Sequence, residues 1–361
     1  MKTLLRNFLS VFRRFQMATL LNVAGLTVAF AAFLIIMMQI EYERNFDRCH
    51  PTADRVVRLD RVRGADDKFA PILSRAFADA VFQSSPHIEK STLILTTWYP
   101  FYFKVGEGEK RRGFQETFGL CYPEIVDVFD FTILEGDKYC LRNPDMAMIP
   151  ESLAKRMFDD ASAIGQHIIT THNLGESTSM TVGAVYKDFP KNTQLENYIY
   201  LPLDDFGKED WHTQCFIGYM LLDKPESRQA VEENFNRIFN FKEHYNNEDM
   251  HISLVPLTDI YYRPTSLSDY IKSGDPSTVH LLFLIALLVI LVAGINFTNF
   301  STSLAPIRMR SINTQKVLGS SVSELRLALV SEAVCISILA CLLAFLLVYV
   351  LNELQWLSFV E

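Results

Sequence analysis

The chain is 361 residues long, 49% hydrophobic and 21% charged, with a formal net charge of −8. That acidic balance gives no support to nucleic-acid binding, and a mean hydropathy of +0.11 excludes a chain whose apolar residues all serve a water-solvated core. The apolar excess is concentrated in three stretches without Asp, Glu, Lys or Arg: residues 15–40, 276–307 and 333–352.

Residues 1–14 form a basic leader with Lys2, Arg6, Arg13 and Arg14 and no acid. The 26 uncharged residues that follow exceed the roughly 20 a helix needs to cross bilayer hydrocarbon. A cleaved signal peptide is the alternative, but its apolar core runs only about 7–15 residues. In addition, Glu41-Tyr42-Glu43-Arg44 stands where small residues would prepare a cleavage site. Residues 15–40 therefore read as a first membrane helix.

Residues 41–278 carry 26 basic and 38 acidic residues, a balance of −12. Strand and helix signals alternate along them. Residues 55–62 read as a strand through Val56, Val57, Leu59 and Val62. Residues 70–82 place Ile72, Leu73, Phe77 and Val81 at helical spacing, with Pro86 as the stop. Toward the far end, 216–222 reads as a strand, 227–239 as a helix with Val231, Phe235 and Ile238 on one face, and 251–256 as another strand. The section between, 91–203, is richer in aromatic and β-branched residues. It shows strands at 92–105, 180–186 and 198–201, and Pro150-Glu151-Ser152 opens a short helix at 153–158. An α+β domain is expected, with 41–90 and 204–262 as one subdomain and 91–203 as a second inserted into it.

A Pro-, Ser- and Asp-rich linker around 262–276 leads to a second membrane helix at 279–305. The loop 306–326 holds Arg308, Arg310, Lys316 and Arg326 against Glu324 alone, and a third helix at 327–352 leaves a tail, 353–361. Short basic segments stay in the cytoplasm, so the acidic domain and the tail are expected on the other side.

Chemistry-bearing motifs are few. Without a G-x-x-x-x-G-K-[ST] cradle, any ATP chemistry must come from a partner. There is no H-E-x-x-H, no G-x-S-x-G elbow and no cysteine pair at zinc spacing, so no catalytic residue, metal or cofactor is expected. Cys49, Cys121, Cys140 and Cys215 in the exterior domain allow three disulfide pairings or isolated thiols. His167 and His172, and the acids Asp204-Asp205 and Glu209-Asp210, read as loop residues. In the membrane, Asn296 and Asn299 sit one turn apart as potential interhelical hydrogen-bonding groups. Glu332 needs pairing or hydration, with Arg326 or a loop cation as partner. In the loop, Ile307, Ile312, Val317 and Leu318 alternate with Arg308, Arg310, Gln315 and Lys316 in the pattern of a short amphipathic helix ended by Gly319. Taken alone, that pattern fits a helix held on the membrane face by anionic lipid.

Several stretches resemble the MacB/FtsX-type permeases of ABC transporters, especially their large form in Bacteroidetes-like bacteria. They are Glu41-Tyr42-Glu43-Arg44-Asn45-Phe46-Asp47, Asp54-Arg55-Val56-Val57-Arg58-Leu59, and Phe129-Asp130-Phe131-Thr132-Ile133-Leu134-Glu135-Gly136-Asp137. Further on come Ser152-Leu153-Ala154-Lys155-Arg156-Met157-Phe158, Ile164-Gly165-Gln166 and Val182-Gly183-Ala184-Val185-Tyr186-Lys187-Asp188-Phe189-Pro190. After the second span, Gly294-Ile295-Asn296-Phe297-Thr298-Asn299 and Gln315-Lys316-Val317-Leu318-Gly319-Ser320 complete the likeness.

The resemblance implies a dimeric permease in the inner membrane with a two-subdomain periplasmic core. A separate cytoplasmic ABC ATPase would drive it, for export or for mechanical signalling to the exterior. It also recasts the loop as a coupling helix on that ATPase, carried by Arg308, Arg310, Ile312, Asn313, Gln315, Lys316, Val317, Leu318 and Gly319. Two departures stand out. Ser311 occupies a position where many members have Glu, and the family has at least one further span, so the chain reads as the N-terminal half of a longer permease. The competing class is a membrane-anchored extracytoplasmic ligand sensor, for which the short loop offers no signalling module. A membrane-anchored enzyme finds no constellation.

Overall fold

The computed structural model describes residues 16–64, 68–96, 100–106, 112–159, 161–171, 177–245, 250–263, 271–354 and 356–357. They belong to two compact units, Met1–Arg44 with Asp275–Glu361, and Asn45–Gly274. The first unit opens with helix α1 (Gln16–Arg44).

The second unit is α+β. In chain order it runs β1 (Val56–Arg63), β2 (Lys68–Ala70), β3 (Ile72–Leu73), α2 (Arg75–Phe82), β4 (Ile88–Thr96), β5 (Phe101–Val105), β6 (Arg112–Glu116) and β7 (Phe118–Cys121). Next come α3 (Ile125–Val128), β8 (Ile133–Gly136), β9 (Met146–Pro150), α4 (Glu151–Phe158), β10 (His167–Thr171), β11 (Ser177–Tyr186) and β12 (Ile199–Pro202). The unit closes with β13 (Phe216–Leu222), α5 (Ser227–Ile238), α6 (Phe241–Tyr245), β14 (Met250–Pro256) and α7 (Leu257–Ile260). One mixed sheet joins them in the order β14-β1-β13-β4-β7-β12-β9-β11-β10-β5-β6, with β2 beside β1, β3 beside β13 and β8 beside β11.

Alternation along the strands sorts side chains into layers. In β13, Phe216, Met220 and Leu222 face one layer and Tyr219 and Leu221 the other. Helices α2 and α5 bury Phe77, Val81, Val231 and Phe235 in the first layer against Leu59 and Leu254. In the second, Ile125, Phe129 and Phe131 meet Tyr186, Tyr200 and Val255. A third cluster forms where Leu153 and Met157 of α4 cover Ile149, Val182 and Leu201. Each such side chain contributes about 1.5–3 kcal/mol on burial. The outer edge of β14 is closed by α5. Asn236 pairs with both the N–H and the C=O of Ile252, Glu232 accepts from Leu254 N, and Arg228 donates to Leu254 O. Side chains one turn apart thus replace a missing strand and block edge pairing.

Three expectations needed correction. The strand expected over 92–105 is two strands, β4 and β5, far apart in the sheet, with Pro100 between them where a ladder donor would be needed. The helix expected from residue 70 begins at Arg75, because Pro71 holds Ala70 in extended geometry and β2 and β3 take the preceding residues. Ile238, expected on the buried face with Val231 and Phe235, is 62% exposed at the last turn of α5, beyond the layer it was to join.

The first unit continues with α8 (Pro276–Ser303), α9 (Ala305–Val317) and α10 (Val322–Glu353). Among the described residues, three helices, α1, α8 and α10, are long and apolar enough to cross a membrane. Val23 and Leu26 of α1 pack on Ile336 and Ala340 of α10, with Ala293 and Phe297 of α8 alongside. Small residues at the contact, Ala340 and Ala344 among them, let the helices approach closely. Leu288, Leu291, Ile295, Leu342, Phe345 and Leu346 point outward, as lipid-facing residues do. Local chemistry sets the helix ends. The Asp275 side chain accepts from Ser277 N with Pro276 in the first turn of α8, and Ser321 and Glu324 form a capping box on α10.

Candidate functional site

Helix α9 and the turn after it contain the residues singled out for coupling. Gly319, at φ 95°, ends the helix in a left-handed cap: its N–H donates to Lys316 O, and Ser320 N donates to Gln315 O, both at 3.0 Å. The capping box at Ser321 follows at once, so the tip between α9 and α10 is fixed on both sides. Val317 and Leu318 are 86% and 80% exposed there, beside exposed Asn313, Gln315 and Lys316. Arg308 and Arg310 lie on the α9 backbone, but their side chains fall outside the described residues.

One reading of this helix is corrected. Ile312 is half-buried while Val317 is exposed, and five residues separate them by about 140° around a helix. The apolar residues therefore make no single stripe; two of them form an exposed apolar tip.

Glu332 of α10 lines a cavity of about 380 Å³ with Thr19 and Asn22 of α1, Thr298, Ser301 and Thr302 of α8, and Ile312. The sequence reading did not single out these polar lining residues; their spacing of three to four residues along α1 and α8 is the signal that marks a common face. Asn296 lines a separate apolar groove of about 580 Å³ between α1 and α8. Neither Asn296 nor Asn299 makes an interhelical hydrogen bond among the described residues. Among those residues no group of three or more His, Cys, Asp or Glu side chains is placed to hold a metal. His172 lies outside the described residues, and His167 contacts Thr181 Oγ1 at 3.2 Å. Asp204 and Asp210 accept backbone N–H groups of their own loop. Cys121 and Cys140 are buried thiols, pushed up by desolvation, Cys140 to about 12.

A second constellation lies where the chain enters the exterior unit, and sequence reasoning did not find it. Asp47 is fully buried and holds a left-handed backbone at φ 60°, a conformation that costs a non-glycine residue about 1 kcal/mol or more. Its Oδ1 accepts from Thr193 Oγ1 and Gln194 N, both at 2.7 Å, and its N–H donates to Asn192 O at 2.8 Å. Its Oδ2 is buried with no hydrogen-bond partner among the described residues. Thr193 Oγ1 also meets His50 Nε2 at 2.9 Å. With the Thr193 proton on Asp47, Nε2 carries the imidazole proton, which leaves Nδ1, 3.3 Å from Phe129 O, without one. Burial pushes Asp47 up to about 6 and His50 down to about 4.

Lys272, near the end of this unit, donates from Nζ to Thr193 O at 3.0 Å and accepts from Gln194 Nε2 at 2.7 Å through its carbonyl. A hydroxyl that donates to the acid and accepts from the imidazole is not activated by a base. The arrangement fastens segments together.

Two family models match the sequence. One, described as a MacB-like periplasmic core domain, covers residues 19–238, and the other, described as an FtsX-like permease C-terminal region, covers residues 283–360. No curated protein matches. Among solved structures, a domain of a putative permease protein from Porphyromonas gingivalis matches at 22% identity and TM-score 0.49, over 57% of this chain and 92% of that one. The periplasmic region of MacB from Actinobacillus actinomycetemcomitans matches at 13% identity and TM-score 0.40, over 57% and 90%. The extracellular domain of the noncanonic ABC-type transporter YknZ from Gram-positive bacteria matches at 10% identity and TM-score 0.39, over 55% and 99%.

Proposed function

From the premise that this chain belongs to the MacB/FtsX-type permeases of ABC transporters, we propose that it couples ATP hydrolysis by a separate cytoplasmic ATPase to movement of its exterior domain. The chain sits in the inner membrane through α1, α8 and α10, works as a dimer, and is itself non-catalytic. The acidic unit Asn45–Gly274 lies in the periplasm, and the basic leader and α9 lie in the cytoplasm, as the positive-inside rule directs. Closure of the ATPase on ATP displaces the α9 tip, and the membrane helices carry that displacement to the exterior domain.

One observation carries this reading: the apolar tip of Val317 and Leu318, flanked by Lys316 and held between the Gly319 cap and the Ser321 capping box. Two large exposed apolar side chains on a rigid turn gain about 1.5–3 kcal/mol each on burial in a partner's groove. Arg308, Arg310, Ile312, Asn313 and Gln315 complete the docking segment in this proposal. Glu332 and its polar cavity, with Asn296 and Asn299, serve the movement of the helices.

The double variant Lys316→Asp/Leu318→Asp tests the docking. It is expected to cut co-purification of the ATPase at least tenfold and to abolish permease-dependent stimulation of ATP turnover, while membrane insertion is unchanged. Undiminished capture and turnover in that variant would mean that the tip is not the docking site.

A further inference from the structure

The exterior unit has two connections to the membrane helices, residues 45–47 after α1 and residues 271–274 before α8. Both are fastened to a single loop, residues 191–196. From the first connection, Asp47 takes hydrogen bonds from Thr193 and Gln194 and donates to Asn192, and Asn192 Nδ2 donates to Asn45 O at 3.2 Å. From the second, Lys272 holds Thr193 O and Gln194 Nε2 and lies 3.5 Å from Glu196. Phe46 is stacked on Tyr261 at 3.8 Å, and Tyr261 O accepts from Gly274 N at 2.8 Å, closing the ring of contacts.

We propose that Asp47, Thr193, Gln194 and Lys272 form a proton-sensitive clamp on these two connections, closed when Asp47 is protonated and loosened when it is ionised. The asymmetry of the carboxyl group carries the argument. Two donors converge on Oδ1, while Oδ2 is shut in the interior with none among the described residues. A neutral acid keeps both donors on its carbonyl oxygen and buries no charge. An ionised one leaves half of its charge without hydration, which separation from the loop restores.

The other ionisable groups facing Asp47 do not reverse this balance. Burial raises Asp47 to about 6 even though the Gln194 and Thr193 hydrogen bonds, Lys272 and Arg58 all favour its anion. Cys49 and Tyr219 are held neutral by burial. His50, reached through Thr193, is also neutral and is packed against the Phe129 and Phe189 rings. The sign follows from linkage. An acid whose pKa in the closed state lies above its value of 3.8 in water binds its proton more tightly when closed. Closure is therefore strongest below about pH 4 and is lost as pH rises through about 6. His50, lowered from 6.5 to about 4, titrates in the opposite sense. The clamp's part in transmission rests on the permease reading above; its response to protons does not.

Hydrogen exchange of the Asp47 and Gln194 amides in the full chain in lipid nanodiscs tests the clamp. The background is His50→Gln, which removes the opposing titration and leaves a donor for Thr193. After correction for intrinsic rates, protection of both amides is expected to fall about tenfold from pH 5 to pH 7.5. Adding Asp47→Asn should abolish that slope and hold protection near its acid value. Lys272→Met should move the loss to higher pH, because one cation that favours the anion is gone. A flat profile in the His50→Gln protein, or an unaltered slope after Asp47→Asn, overturns the proposal. These readouts do not involve the ATPase, so failed ATPase capture with an intact pH slope would count against the permease reading alone.

Discussion

Replacing Asp60 by Asn is expected to cost the exterior domain about 3–5 kcal/mol of unfolding free energy, the penalty for leaving a buried charge without its partner. Arg58 and Asp60 are 1% and 0% exposed, and the guanidinium meets the carboxylate in a fork, Nε to Oδ1 at 2.6 Å and Nη2 to Oδ2 at 2.9 Å. Burial alone would lower the Arg58 pKa, and Asp60 more than offsets it. Arg58 Nη1 is already without a partner among the described residues, so the site has no spare acceptor once the carboxylate is removed. Urea unfolding of the full chain in detergent measures the loss. The pair Arg58→Met/Asp60→Leu, which removes both charges of the fork, should recover part of it, the remainder being the lost contact of Arg263 Nε with Asp60 Oδ2 at 3.7 Å. A Asp60→Asn protein as stable as the parent would show that the guanidinium reaches water.

The second large effect is expected at Gly136, which ends β8. Its φ is 87°, in the left-handed region, and a Cβ there would collide with the carbonyl oxygen of Gly183 and stand 2.9 Å from the Ala184 Cα. Both obstacles are backbone of the neighbouring β11, so neither can rotate away. Gly136→Val therefore combines backbone strain of about 1–3 kcal/mol with overpacking of about 1–3 kcal/mol. Gly64 is the control: its φ is 74°, but among the described residues nothing lies within 4 Å of its added Cβ. Gly64→Ala is expected to cost only about 1 kcal/mol, the strain alone. Equal losses at the two positions would remove the packing part of this account.

The three membrane helices were legible because hydrocarbon imposes a length and forbids charge, and both are countable in one dimension. Strand β13 was legible over its whole length because a continuous apolar run buried on two faces needs no partner to be recognised. What failed depended on distant residues. Arg58 and Asp60 punctuate the first strand as surface charges would, and they are buried only because β13 and β14 close over β1. The clamp joins Asp47 to Thr193 across 146 residues, and no local pattern announces that pairing. The division of 92–105 into β4 and β5 likewise follows from which strands each one finds, β13 and β7 for β4, β10 and β6 for β5. In α9 the residue types are legible in the sequence, but the helical angle between Ile312 and Val317 scatters the apolar ones around the helix.

The account turns on which side of the membrane each segment occupies. Single cysteines introduced at Lys208, in the exterior unit, and at Ser320, in the turn after α9, can be labelled in spheroplasts with a membrane-impermeant thiol reagent, in a background lacking the native cysteines. The account predicts that the Lys208→Cys protein is labelled in intact spheroplasts and the Ser320→Cys protein only after lysis. The opposite pattern would place the acidic domain in the cytoplasm and remove the basis for an ATPase at the α9 tip.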